Sequence, residues 1–409
     1  MTDERYNEID NMSLDSFRQL SDAEQREYNA ARYLKESKTE IPELLAHVET
    51  AQQGYLPIWA TGFNKLDQML DGGFLGGNLA VVGAVSSLGK TSFVLQIGTQ
   101  IAAAGKDVLI FSLEMSKNEL NAKIISRYSY ELTYTKDNAN AWSGYLDDIR
   151  LTMGDVLRGR VGQLGEKKRK IFDAAVEKAR ALSEHLFIIR DNEIDLNKIE
   201  DIVQAHEDAT GRKPFVILDY LQILKAREEN RTTDKRLLTD DDVNRLKDLA
   251  VKTDIPILVI SSFNRMSYLD PVSMGSFKES GTIEYSSDTL IALQYSGMQY
   301  QKHWTTADGG KKKLVYENKI EHDTRVRLLM EKMDEDGAAG KFLPIDVVLL
   351  KNRGVSKGKV LFEFCPRSNI FREKLQQNDT EYAYAENTLD DNPFEKEDTR
   401  PADKDLGKV

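Results

Sequence analysis

The apolar positions divide the chain into a polar beginning, a long apolar middle and a polar end. Dense apolar runs separated by glycine turns extend from about Leu56 to Phe371. Within them, short runs rich in β-branched residues alternate with longer helical segments; the short runs are LAVVGA, VLIFSLE, HLFIIR, PFVILDYLQIL, IPILVISSF and PIDVVLLKN. Unbroken runs of this kind are typical of strands covered on both faces. The pattern predicts a three-layered α/β domain with a mostly parallel central sheet flanked by helices.

The segment before this domain contains two helical patterns. Leu14, Phe17 and Leu20 have helical spacing; a frayed surface helix is one interpretation of this segment, which the sequence leaves open. A second apolar stripe follows the i, i+3, i+4, i+7 spacing of an amphipathic helix and consists of Ile41, Leu44, Leu45 and Val48. We expect this second helix to pack either on the domain behind it or on a neighbouring subunit.

These patterns predict three regions. They are an acidic arm with a linker helix (residues 1–55), the α/β domain (56–375) and an acidic disordered tail (376–409). Inside the domain, residues 297–341 interrupt the alternation with Gly, Lys, His and Asp, which predicts an insertion or mobile loop. Its lysines are either solvated or form an extra contact to DNA or a partner; they are Lys302, Lys311, Lys312 and Lys313.

Charge and cysteine content narrow the class of protein. The net charge is −11, but residues 1–50 and 378–409 each carry −6, so the middle carries +1. A near-neutral domain can still bind nucleic acid through a local basic patch. The single cysteine, Cys365, excludes an intramolecular disulfide and a multi-cysteine metal site. Because no apolar leader or long apolar span is found, we expect a soluble cytoplasmic protein that does not contact a membrane.

A strand, a loop and a helix near residue 84 form the strongest local signal. After the run LAVVG come, in order, Ala84, Val85, Ser86, Ser87, Leu88, Gly89, Lys90, Thr91 and Ser92, and then a helical segment. This is a P-loop in its required context. Backbone N–H groups of the loop are expected to cradle the phosphates of ATP, with Lys90 reaching the β/γ oxygens and the Thr91 hydroxyl binding Mg²⁺. Ala84 stands where the strict pattern has glycine.

Two carboxylates at predicted strand ends complete this candidate site. Asp219 ends the apolar run FVILD, and in that position a carboxylate holds Mg²⁺ directly or through water. Glu114 ends VLIFSLE, where the carboxyl edge of a parallel sheet meets the ligand crevice. Glu114 is either the general base for the attacking water or an ordinary solvated acid.

Further segments, in order along residues 56–371, resemble the successive motifs of the DnaB helicase C-terminal domain. They are Thr61-Gly62-Phe63 with Leu66-Asp67, Phe111-Ser112-Leu113-Glu114-Met115-Ser116, Leu218-Asp219-Tyr220-Leu221-Gln222, Asn264-Arg265, Glu279-Ser280-Gly281 with Ile283-Glu284, and Lys351-Asn352-Arg353. The resemblance implies a RecA-like P-loop NTPase fold and a homohexameric ring. In such a ring ATP lies between subunits and single-stranded DNA passes through the central channel.

The resemblance also implies roles for residues far from the P-loop. Lys351 and Arg353 are expected to act in trans on the nucleotide of the neighbouring subunit, or else to be ordinary solvated bases. Lys278, Glu279 and Gly281 are expected to form the channel loop that holds DNA by its phosphates rather than by its sequence.

Three departures from the family pattern are visible. The first 50 residues leave no room for the family's N-terminal helical domain, which helps to assemble the ring and to recruit primase. Ser262 stands where the family has a glutamine that senses the γ-phosphate. Lys123 replaces an arginine expected near the adenine ring, which leaves base preference open.

Three functions remain open at this point. One is a replicative helicase, with primase, a helicase loader or a single-stranded-DNA-binding protein as candidate partners. Another is a DNA-binding ATPase without processive unwinding, such as a loader, recombination mediator or defence component. The third is a nucleotide-driven ring that acts on proteins, against which the Lys278 segment argues.

Overall fold

The computed structural model describes most of the chain between residues 2 and 374. The described residues are 2–10, 12, 14–36, 45, 48–49, 58–133, 150–163, 165–191, 194–219, 235–278, 280–306, 312–353 and 357–374. They fall into two compact units, Met1–Pro57 and Ile58–Val409. None of the described helices is long and apolar enough to cross a membrane. The tail predicted over 376–409 lies outside the described residues.

Residues 2–36 of the N-terminal unit, where described, form helices α1 (Asp3–Asp10), α2 (Leu14–Phe17) and α3 (Asp22–Glu36). Tyr6 and Tyr28 are buried and stack with ring centroids 5.2 Å apart. Phe17 packs edge-on against Tyr28 at 5.4 Å, and Leu20 packs against the same cluster. These contacts argue against the frayed surface helix, because aromatic packing between helices holds this segment together.

The stripe predicted over 41–48 is described only in part. Leu45 and Val48 are exposed, by 56% and 40%, whereas Ile41 and Leu44 lie outside the described residues.

In the second unit, the described strands form one nine-stranded sheet; in the labels defined by the ranges given next, its order is β13-β12-β11-β8-β3-β7-β6-β4-β5. Its strands are β3 (Leu79–Ala84), β4 (Val108–Ser112), β5 (Leu186–Ile189), β6 (Phe215–Asp219), β7 (Ile257–Ser262), β8 (Thr289–Tyr295), β11 (Leu343–Asn352), β12 (Gly358–Cys365) and β13 (Ile370–Glu373). A separate antiparallel pair, β1 (Ile58–Trp59) and β2 (Phe74–Leu75), precedes it. β9 (Lys302–Thr306) and β10 (Lys312–Tyr316) form a hairpin.

Helices cover both faces of the sheet. The helices of this unit are α4 (Asn64–Met69), α5 (Lys90–Ala103), α6 (Lys117–Thr133), α7 (Met153–Leu157), α8 (Glu166–Arg180), α9 (Leu196–Thr210), α10 (Lys235–Thr253), α11 (Ser280–Ser286) and α12 (Lys319–Ala338). Apolar residues of α5, α6, α8 and α12 pack on one face, and those of α9, α10 and α11 pack on the other. The three-layered α/β fold predicted from the apolar runs is confirmed.

Strand direction decides which loops can meet. Strands β8, β3, β7, β6, β4 and β5 are parallel to one another, so their carboxyl ends lie along one edge of the sheet. β11 runs antiparallel to β8 and ends with Asn352 opposite Thr289, the first residue of β8. The end of β11 therefore lies at the opposite edge.

Residues 297–341 do not form the loop that their composition predicts. They contain the β9–β10 hairpin and the 20-residue helix α12. Asn318 caps this helix, its side chain accepting hydrogen bonds from the Ile320 and Glu321 N–H groups, and Glu321 completes a capping box. The buried residues of this helix are His322, Val326, Met333 and Gly337. They are widely spaced among charged residues, so the composition of the segment did not indicate a helix.

Candidate functional site

The P-loop joins the central strand β3 to helix α5. Gly89 immediately precedes the helix with φ +91°, and a Cβ atom there would lie 2.6 Å from the Phe364 ring. Only glycine meets both demands. Ser87 also has a positive φ, of 66°. Ala84 and Leu88 are buried, with 0% and 1% exposure, so these two can contact a nucleotide only through their backbone.

Lys90 lies at the start of α5 with its ammonium turned into the loop. Its Nζ donates to the carbonyl oxygens of Ala84 and Val85, both at 3.1 Å. Burial lowers the pKa of Lys90, while the negative charges of Asp219 and Glu114 oppose that shift. A partly buried cation inside a loop of backbone groups is arranged to receive an anion such as a phosphate.

Asp219 ends β6 beside this cation and is 2% exposed. Burial raises its pKa to about 6; a hydrogen bond with Thr91 opposes the rise, and the Glu114 charge adds to it. Among the described residues, its buried Oδ2 atom has no hydrogen-bond partner. A buried, unpartnered carboxylate oxygen next to a threonine hydroxyl fits a hard divalent cation, so Asp219 and Thr91 fit Mg²⁺.

Glu114 lies two residues beyond the end of β4, the strand that pairs with β6. The backbone N–H of Leu113 donates to the Asp219 carbonyl oxygen at 2.7 Å, which places the Glu114 backbone beside Asp219. Glu114 is exposed. A solvent-open carboxylate next to a metal-binding carboxylate can accept a proton from an attacking water.

Lys123 reaches the first turn of α5 from α6. Its Nζ donates to Asn369 Oδ1 at 2.9 Å and to Ser92 Oγ at 3.1 Å, and burial lowers its pKa. The Ser92 hydroxyl donates to Asn369 Oδ1 at 3.3 Å. Sequence reasoning missed Asn369, which has φ +51° after a Pro366 turn. Asparagine three residues after proline is a turn signal that could have marked it.

Ser262 ends β7 directly beside Ala84 of β3. Its carbonyl oxygen accepts a hydrogen bond of 3.0 Å from the Lys278 backbone N–H. The adjacent residues, Phe263 and Phe277, form a β-bridge with each other. Their rings pack edge to face with centroids 5.0 Å apart. The strand that borders the P-loop is thus joined to the segment that carries Lys278.

Gly83 lies under this pair of phenylalanines. A Cβ atom on Gly83 would lie 2.3 Å from the Phe277 ring and 2.5 Å from the Phe263 ring. Sequence reasoning missed all three residues, because the contact joins positions about 180–195 apart in the chain. A glycine inside an apolar strand was the available signal for such close packing.

The predicted DNA-binding residues are only partly described. The Lys278 side chain is exposed. Glu279 lies outside the described residues. Gly281 lies in the first turn of α11, and nothing lies within 4 Å of where its Cβ would be. Its N–H belongs to the donors that a helix start leaves without a helical partner.

Lys351 and Arg353 lie away from the P-loop of their own chain. Lys351 Nζ donates to the carbonyl oxygens of Glu284 and Ser287, both at 2.6 Å. Arg353 forms an ion pair of 3.1 Å with Asp288, just before β8, whereas the P-loop lies at the other end of that strand. Leu293, the partner of Ala84, is five residues along the chain from Asp288, a distance of about 17 Å in a strand.

The structure therefore gathers part of the predicted site at one edge of the sheet. The residues brought together there are Lys90, Thr91, Asp219, Glu114, Lys123 and Ser262. Lys351 and Arg353 are not among them.

Known proteins share this sequence pattern and this fold. The family model described as the DnaB-like helicase C terminal domain matches residues 59–144 and 149–373. Among solved structures, an isolated ATPase domain is similar with a TM-score of 0.61 at 17% identity, covering 83% of this chain and all of that one. A DnaB-like replicative helicase, solved with its interactions with primase, has a TM-score of 0.58 at 16% identity, covering 90% and 75%. These two show the same fold.

Curated relatives are replicative DNA helicases. The DnaB protein of Helicobacter pylori is 26% identical over 81% of this chain, and that of Geobacillus stearothermophilus is 25% identical over 73%. The matches cover 63% and 60% of those two proteins, so this chain spans somewhat less than two thirds of their length. Because the family model extends over most of the chain, the protein belongs to the family of the DnaB-like helicase C-terminal domain.

Proposed function

We propose that this chain is the motor of an ATP-dependent DNA helicase that translocates on single-stranded DNA and unwinds duplex DNA during replication. The main support for this proposal is the junction between β7 and the Lys278 segment. There, the strand beside the P-loop is hydrogen-bonded to a segment with an exposed cation that can meet a phosphate backbone. A change at the nucleotide can thus be transmitted to a DNA contact.

The nucleotide chemistry follows from the gathered residues. Lys90 binds the β/γ-phosphate oxygens, and the loop N–H groups hold the remaining charge. Thr91 and Asp219 hold Mg²⁺, which neutralises developing charge on the phosphates when it is bound. Glu114 orients the attacking water and takes its proton. The buried network of Ser92, Lys123 and Asn369 stiffens the start of α5 and so keeps the loop in place.

Hydrolysis is proposed to require a second subunit. Arg353 and Lys351 cannot reach the phosphates of their own chain, because they lie about 17 Å along the sheet from the P-loop. In a closed ring, the edge that carries them can face the P-loop of the next subunit, and a homohexamer is such a ring. There Arg353 meets the charge that develops on the γ-phosphate.

DNA is proposed to be held by its backbone. Lys278 supplies a charge to one phosphate, and the Gly281 N–H can approach another because no side chain stands there. Contacts of this kind ignore sequence and weaken with salt. One DnaB-like relative has been solved with its interactions with primase, so a primase is a candidate partner of this chain as well.

A forked-duplex unwinding assay with ATP tests the proposed function. We expect the wild-type chain to separate the strands and Lys90→Ala to lose both hydrolysis and unwinding. Lys278→Ala should keep basal hydrolysis but lose its stimulation by DNA. Each lost phosphate contact should lower the slope of log affinity against log salt by about 0.7.

The matched control is Lys170→Ala, an exposed lysine on α8 that pairs with Glu166. It should bind and unwind as the wild type does. Hydrolysis stimulated by DNA with no strand separation would support a DNA-binding ATPase instead of a helicase.

A further inference from the structure

The β9–β10 hairpin is held firmly at its base. Arg325 of α12 forms a two-pronged ion pair with Glu317, with Nη2–Oε1 at 2.6 Å and Nε–Oε2 at 3.0 Å. The same guanidinium donates to the carbonyl oxygens of Gly297 and Gln299 at 2.6 and 2.8 Å. Glu317 Oε1 in turn accepts the Gln301 N–H at 2.9 Å. Both legs of the hairpin are therefore fixed to one helix.

The hairpin emerges from the same sheet edge as the Lys278 segment. It follows the carboxyl end of β8, and Lys278 follows the carboxyl end of β7, parallel to it across β3. Lys319, at the start of α12, forms an ion pair of 2.8 Å with Asp270 in the connection that leads to Lys278. The Val272 N–H donates to Gln294 Oε1 of β8 at 3.0 Å. The hairpin and the Lys278 segment are therefore joined along the same edge of the sheet.

One face of the hairpin combines aromatic, apolar and cationic groups. Lys302 and Tyr316 are directly opposite in the strand register, and Lys302 Nζ lies 4.7 Å from the Tyr316 ring centroid. Leu314, two residues before Tyr316 and so on the same face, is 44% exposed, and Tyr316 is 49% exposed. Residues 302–316 contain four lysines and one aspartate, a net charge of +3 in a chain of −11.

We propose that this face of the hairpin is a second contact for single-stranded nucleic acid, with Tyr316 stacking on a base and Lys302 meeting a phosphate. The proposal rests on the proposed function, which supplies the strand at Lys278. Stacking on an aromatic ring beside a cation suits every base, so the contact is indifferent to sequence. The local positive charge favours a polyanion over an apolar protein surface.

Fluorescence anisotropy with the full-length chain tests this contact on two strands of equal length, oligo-dT and an abasic backbone. Tyr316→Ala should weaken binding to oligo-dT on the order of tenfold and leave the abasic strand unaffected, because only the former has bases to stack. Tyr316→Phe keeps the ring and should bind as the wild type. Lys302→Ala should weaken both strands and lower the salt slope by about 0.7 per lost contact.

The matched control is Leu328→Ala, which removes a 62%-exposed apolar side chain from α12 without touching the hairpin; it should change neither affinity. Circular dichroism of each variant shows that folding is kept. If Tyr316→Ala binds both strands as the wild type does, while Lys278→Ala loses affinity, the hairpin contact is refuted and the proposed function stands. If the wild type binds neither strand, both proposals fail.

Discussion

The Ser262 carbonyl oxygen accepts a hydrogen bond of 3.0 Å from the Lys278 backbone N–H, so the end of a central strand is tied directly to the segment that carries an exposed cation. Ser262 is also the neighbour of Ala84, where the P-loop begins. Backbone atoms form this hydrogen bond. It is therefore possible with serine at position 262, although serine is shorter than the glutamine of the family pattern. Phe263, which follows Ser262, and Phe277, which precedes Lys278, both pack on Gly83 and stiffen this junction.

Gly83→Ala should uncouple the two sites. The added methyl group would lie 2.3 Å from the Phe277 ring, so the ring and the segment beyond it must shift. We expect a loss in the free energy of unfolding of roughly 1–3 kcal/mol, and hydrolysis that single-stranded DNA no longer stimulates. Urea unfolding and ATPase rates with and without DNA measure the two effects.

The double variant Gly83→Ala with Phe277→Leu is the control for this prediction. A smaller, flexible side chain at 277 makes room for the methyl group and should recover part of the lost stability. A single variant that keeps full stimulation by DNA would show that this packing does not transmit the signal.

Asp219→Asn should stabilise the protein while abolishing its activity. Burial raises the pKa of Asp219 from 3.8 to about 6, so above that pH the fold carries a buried charge at a cost. The neutral amide removes this cost, which at pH 8 without Mg²⁺ amounts to on the order of 1–3 kcal/mol in the free energy of unfolding. Urea unfolding at pH 8 and an ATPase assay with Mg²⁺ measure the opposed changes.

Asp67→Asn is the matched comparison. Its carboxylate accepts hydrogen bonds from Thr61 N and Thr61 Oγ1, both at 2.6 Å, and from Gly62 N at 3.1 Å. An amide cannot accept all three as well, so this substitution should lower stability. If both variants were destabilised equally, the cost assigned to the unpartnered Asp219 oxygen would be wrong.

Chains with Arg353→Ala and Lys90→Ala should complement each other. Each variant alone is expected to be inactive. Arg353→Ala lacks the cation that acts on the neighbouring subunit, and Lys90→Ala cannot bind the phosphates. In randomly mixed rings, roughly a quarter of the interfaces join an intact Lys90 to an intact Arg353, so about that share of wild-type ATPase activity should return. Steady-state hydrolysis after mixing and reassembly gives the measurement.

Mixing Lys90→Ala with Asp219→Asn provides the control, since both changes damage the same half of the interface. No activity should return in that mixture. Full activity of a strictly monomeric wild-type chain in sedimentation would contradict hydrolysis between subunits.

The hairpin anchor should weaken in acid. The Arg325 hydrogen bonds hold the pKa of Glu317 at about 2, against an ordinary value of 4.5. Because the folded-state pKa is depressed, the stabilisation is fully present above pH 4.5 and is lost as pH falls from there towards 2. The difference in melting temperature between wild type and Glu317→Gln should therefore be constant above pH 4.5 and shrink below it. Glu331→Gln, an exposed change on the same helix, should show no such trend.

The grouping of the candidate nucleotide site could be predicted from the sequence because its central part is contiguous. A strand, a glycine that must take a positive φ, and Lys90 with Thr91 at a helix start follow one another without a gap, so local geometry places them. Asp219 was predicted because apolar runs identify the strands, and a polar residue at a strand's carboxyl end lies at the ligand edge. The order of motifs along the chain further indicated the family.

The positions of the remaining residues depend on the order of the strands in the sheet, which no local sequence pattern determines. Only the antiparallel course of β11 places Arg353 at the far edge of the sheet, and only the register of β3 with β7 brings Gly83 under Phe263 and Phe277. Asn369 meets Lys123 across 246 residues. Such contacts depend on how distant segments pack, since a side chain acquires its partners only when the sheet is assembled.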